Sequence, residues 1–77
     1  LRKTLLKLSE AKTGKKYKVE QLTLLRSLSK RLAILGLNTG VLIELIANYK
    51  HGAVIKTPFG DIAIDADLVD SILVSLV

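Results

Sequence analysis

His51 is the single histidine of this chain and there is no cysteine, so imidazole and thiolate chemistry has at most one side chain to act through. It stands in Lys50-His51-Gly52, a segment with the composition of a hairpin connection, where a solvated turn residue is expected rather than a metal ligand. Asp65, Asp67 and Asp70 place three carboxylates close together. Their spacing lacks the glycine and the closing glutamate of a calcium loop, and Asp65 falls where a helix cap belongs, so caps and solvated charge are the expected roles. Ferrous iron draws imidazole or a defined carboxylate shell, and this set offers neither. No metal site and no tightly bound cofactor are therefore expected. Ser9, Ser27, Ser29, Ser71 and Ser75 share one histidine as an activating base, and no glycine-rich strand-to-helix loop is present to cradle phosphate. The expectation is a non-enzymatic protein with no catalytic residues.

Charge is more informative than any nucleophile. The net charge is +5, but residues 1–31 alone carry +8 and residues 32–77 carry −3. A basic half of this kind suits nucleic acid, acidic lipid headgroups or an acidic protein surface. Its one aromatic residue, Tyr17, alternates inward in a strand pattern, which leaves no stacking platform among the charges and weighs against nucleic acid. A small nucleic-acid-binding barrel is the alternative reading.

Seventy-seven residues make one domain, near the lower limit for a core without disulfides or metal. The chain is 49% hydrophobic with only three aromatic residues, and its mean hydropathy is +0.40, so the core must be aliphatic. So small a domain leaves part of that apolar area exposed, which points to an interface with a partner or with a second copy. No apolar run reaches the roughly 18 residues of a membrane span, and Leu1 to Lys7 lacks the apolar stretch of a secretory signal. A cytoplasmic location is expected.

The elements that would position these groups are legible in the spacing. Leu25, Leu28, Leu32 and Leu35 fall on one helical face, with Arg26, Ser27, Lys30 and Arg31 opposite and Thr23 as the cap. Gly36 suits a left-handed helix stop, with Leu37 packing back on Leu32, and Gly40 suits a type II turn. Lys15–Leu22 alternates as a strand with Tyr17 and Val19 inward. Val41–Asn48 alternates with Val41, Ile43, Leu45 and Ala47 on one face. Further strands are expected over 53–57, 62–64 and 72–76, with Ser9 capping a short turn at 10–12 and Asp65 capping another over 66–70. About five antiparallel strands with one helix inserted after the first fit a small mainly β barrel.

Candidate partner-binding residues follow from the same pattern. Leu24, Arg26, Lys30 and Arg31 lie toward the basic side of the helix, and Leu42 and Ile46 project from the less apolar face of the long strand. Accessible aliphatics beside positive charge suit an acidic protein surface. The competing expectation is that Leu5 and Leu6 cover Leu42 and Ile46.

The order of elements, with Leu8, Gly14 and Val19, then Leu32, Leu35-Gly36-Leu37 and Gly40, then Gly60, Ile62-Ala63-Ile64 and Ile72-Leu73-Val74, resembles the FeoA family. Thr39 departs from the pattern, since the family often has proline before that glycine. The resemblance covers about Leu5 to Val77. It implies an SH3-like barrel, a role in bacterial ferrous iron uptake, and the membrane ferrous permease FeoB, with its cytoplasmic GTPase domain, as partner. The same domain type closes iron-dependent repressors of the diphtheria toxin repressor type, so an isolated C-terminal module of such a repressor is a further alternative.

Overall fold

Lysines and apolar residues alternate through Lys16-Tyr17-Lys18-Val19, and in the computed structural model, which describes residues 4–77, this alternation becomes strand β2 (Lys16–Leu22) with Tyr17 and Val19 buried. It follows strand β1 (Leu6–Lys7) and a 3-10 turn at Leu8–Glu10. Helix α1 spans Arg26–Ile34, and strands β3 (Leu42–Tyr49), β4 (Gly52–Thr57) and β5 (Gly60–Asp65) follow. A one-turn helix α2 (Ala66–Val69) leads into β6 (Ile72–Leu76). The signal-peptide reading concerns Leu1, Arg2 and Lys3 in part, which lie outside the described residues.

The strands form one antiparallel sheet in the order β1-β6-β2-β3-β4-β5. The sixth strand, against about five expected, is β1, in which Leu6 pairs with Val74 and Lys7 with Leu73. It is too short to alternate, so its pairing was not written in its pattern. The ladder runs open from β1 to β5 instead of closing through hydrogen bonds, although the sheet curls around a single aliphatic core. Leu8, Val19, Leu37, Leu45, Ile55, Ile72 and Val74 are fully enclosed in that core.

The stop of α1 follows the expected chemistry. The Leu37 N–H donates to the Leu32 carbonyl at 3.0 Å and the Gly36 N–H to the Ala33 carbonyl at 3.0 Å, the paired bonds of a Schellman motif. Gly36 holds φ +103°, and Leu37 and Leu32 are both buried. Val41 N–H then donates to Asn38 O across a turn with Gly40 at φ +92°, as a type II turn requires.

The rest of α1 differs from its expected register. Leu25 is 78% exposed and Leu35 is 46% exposed, because they are the N-cap and C-cap residues and lie outside the helical turns. The buried stripe is Leu24, Leu28 and Leu32 at intervals of four, the first two partly buried against the core. Leu24, expected to contact a partner, thus packs inward. Thr23 does not cap the helix; its N–H donates to Ser71 O at 2.8 Å and ties the strand end to the β6 entry.

Ser9 likewise lies inside its turn rather than capping it, and its hydroxyl bonds to Asp70. Asp65 holds the N-cap position of α2 without a side-chain capping bond. The β3–β4 pairing shifts between Leu45 and Ala47, which makes Ile46 an extra residue of a bulge. Alternation predicts Ala47 inward; the bulge instead sets it opposite Val54, on the outer face. Leu76, grouped by alternation with Ile72 and Val74, is 61% exposed at the end of β6.

Candidate partner-docking surface

Cross-strand register assembles the surface charge. Lys16 pairs with Glu44, Glu44 with Lys56, and Lys56 with Asp61, so one outer row across β2, β3, β4 and β5 alternates in sign. Opposite charges placed directly across a pair favour that register. Beside this row Leu42 sits opposite Lys18 and is 53% exposed. It lines a depression with Lys16, Lys56 and Pro58. Leu42 and Ile46 are thus open rather than covered, since Leu6 pairs with β6 and Leu5 is itself exposed.

On α1, Arg26 and Lys30 line a separate depression with Leu22, Ala33, Asn38 and Thr39. Arg31 belongs to neither; it flanks Ser27 and Leu28. The six residues singled out from sequence therefore fall into distinct places. Arg26 and Lys30 share one groove, Arg31 lies beside another, Leu42 joins a lysine pair contributed by β2 and β4, Ile46 marks the β3 bulge, and Leu24 packs inward.

Among the described residues no three His, Cys, Asp or Glu side chains gather where they could hold a metal ion. His51 is exposed in the two-residue connection between β3 and β4. No helix among the described residues is long and apolar enough to cross a membrane.

The model of the FeoA domain family matches residues 6–76. This chain belongs to the FeoA family. No curated protein matches it. The FeoA fold is also found by superposition on the crystal structure of an iron uptake regulatory protein (FeoA), with TM-score 0.84 and 23% identity over 96% of this chain and 100% of that one. A solution structure of FeoA from Chlorobium tepidum gives TM-score 0.83 and 22% identity over 94% and 70% of the two chains. ScaR with bound Zn2+ gives TM-score 0.80 and 20% identity, covering 99% of this chain and 38% of that one. These likenesses establish a common SH3-like fold.

The chain also carries surface that sequence spacing missed. Ile34 and Phe59 are both more than three-quarters exposed, and the Phe59 ring reaches within 3.3 Å of the place a Cβ would take on Gly36. With half-exposed Leu35 they form an apolar margin where the α1 stop meets the β4–β5 turn. An aromatic residue at a hairpin tip, where it has no core to enter, was the available signal.

Proposed function

We propose that this FeoA-family chain is a non-enzymatic accessory protein of bacterial ferrous iron uptake that docks on the cytoplasmic part of FeoB, at the inner face of the membrane. The observation that carries the reading is the family match over nearly the whole chain. The surface is of a kind that suits such a role. Arg26 and Lys30 offer a cationic groove on α1, and Leu42 and Ile46 stand open on the sheet, Leu42 opposite Lys18 and in one depression with Lys16, Glu44 and Lys56. Apolar residues with cations nearby fit an acidic protein surface with a few aliphatic anchors.

The test is transport in a cell whose own FeoA has been deleted and whose FeoB is intact. Restoring this chain with its cognate FeoB should raise initial ferrous iron uptake, while FeoB alone stays at the deletion level. Equal uptake with and without the chain, at matched FeoB abundance, would remove the accessory role.

A further inference from the structure

Strand β5 forms a free edge of the sheet. β5 ends the sheet order, and among the described residues none of its backbone groups bonds to any other strand than β4. Thr57 pairs with Gly60 across a two-residue turn, and in such a hairpin that pair exchanges both backbone bonds. Alternation then turns Ile62 and Ile64 toward β4. Asp61 and Ala63 point their N–H and C=O groups away from the sheet, and Asp65 its N–H.

Two acids flank this edge, and the charges around them are unbalanced in a specific way. The outer row Lys16, Glu44, Lys56, Asp61 stops at a negative end, so a cation on a next strand would continue its alternation. Asp65 lies opposite Gly52, which offers no side chain, and its carboxylate makes no capping bond to α2. Beside Asp65, Ala63, Val54, Gly52 and Tyr49 line a shallow, largely apolar trough that His51 also borders. The methyl group of Ala63 and the lack of a side chain at Gly52 leave that floor low.

We propose that the β5 edge takes an extended segment of a partner protein as an additional antiparallel strand, with basic residues opposite Asp61 and Asp65 and an apolar or aromatic residue over Ala63. A second copy of the chain is a poor occupant, because antiparallel self-pairing centred on Ala63 sets Asp61 against the copy's Asp65, and like charges directly opposite destabilise a pair. The inference concerns the chemistry of this edge and stands whether or not FeoB is the partner.

The probe is an acetylated heptapeptide with lysine at its second and sixth positions, tyrosine at the fourth and threonine elsewhere, titrated at low salt while backbone amides are followed by NMR. Shifts and slowed exchange are expected at Asp61, Ala63 and Asp65. The double variant Asp61→Lys/Asp65→Lys should lose affinity for this peptide by roughly tenfold and gain it for the glutamate counterpart. Ala63→Pro removes one outward N–H, a change an edge strand tolerates, and should abolish binding in a folded protein. Should Ala63→Pro fail to fold, the charge swap still decides. No binding by the unmodified chain, shifts that map to another face, equal binding of a peptide with its lysines adjacent, or affinity unmoved by the charge swap would each overturn the proposal.

Discussion

The Thr57 hydroxyl oxygen lies 3.1 Å from the carbonyl oxygen of Leu35, joining the end of helix α1 to the β4–β5 hairpin. The same oxygen is 2.8 Å from Gly60 O and accepts the Phe59 N–H at 3.1 Å. Thr57 is one of two buried polar residues among the described residues, and its position leaves no room above the helix stop. A Cβ on Gly36 would stand 2.6 Å from that hydroxyl.

Gly36 therefore answers two needs, a positive φ and a close approach, whereas a Cβ on Gly40 would meet nothing within 4 Å. The backbone term alone costs ~1–3 kcal/mol for a non-glycine residue in such a region. Crowding at Gly36 adds ~1–3 kcal/mol. Gly36→Ala should thus lower the urea unfolding midpoint clearly more than Gly40→Ala. Equal losses would show that the Thr57 contact relaxes freely.

The helix register makes a paired prediction. Leu32 is buried and Leu25 is largely exposed, so Leu32→Ala should cost about 2–5 kcal/mol. Leu25→Ala should stay within about 0.5 kcal/mol of the parent. Denaturant midpoints for the two variants check the assignment, and a comparable loss in both would restore the face that contains Leu25.

Tyr17 is buried, and its phenolic oxygen accepts the Lys12 N–H at 2.8 Å. Tyr17→Phe keeps the ring and leaves that part-buried donor unpaired, which should cost about 1–3 kcal/mol. Thermal unfolding measures the loss. An unchanged midpoint would mean that water replaces the phenol.

These contrasts mark what the chain's pattern could disclose. The Leu32, Gly36, Leu37 and Gly40 stop was legible because its Schellman bonds and its Asn38–Val41 turn bond run between residues near in sequence, and the Tyr17/Val19 alternation was legible because one face of β2 is buried. Leu24 and Leu25 were exchanged because both fit an apolar stripe, and the choice rests on where the helix begins. The bulge at Ile46, which reverses Ala47, has no local marker such as glycine. For the candidate site, the individual cations and aliphatics were visible, but their neighbours were not. Strand register sets Lys18 opposite Leu42 and brings Lys16 and Lys56 to the adjacent Glu44, over separations no periodicity reports.

Arg26 and Lys30 are exposed and face a common groove, so reversing both to glutamate should leave stability nearly unchanged while slowing association with an acidic partner. The same purified protein tests the nucleic-acid alternative. Sequence-independent binding to duplex DNA that falls steeply with salt would favour that class, since each neutralised phosphate steepens the slope. Under the docking reading, duplex binding stays weak at physiological salt.

The most direct measurement is a binding titration of this chain against its cognate FeoB reconstituted in nanodiscs, followed by association and dissociation rates. Docking predicts saturable binding to FeoB discs and none to empty discs, with Arg26→Glu/Lys30→Glu lowering the association rate several-fold in a protein whose unfolding midpoint is unchanged. A folded chain that shows no saturable binding to FeoB, or binds FeoB discs no better than empty ones, would contradict it.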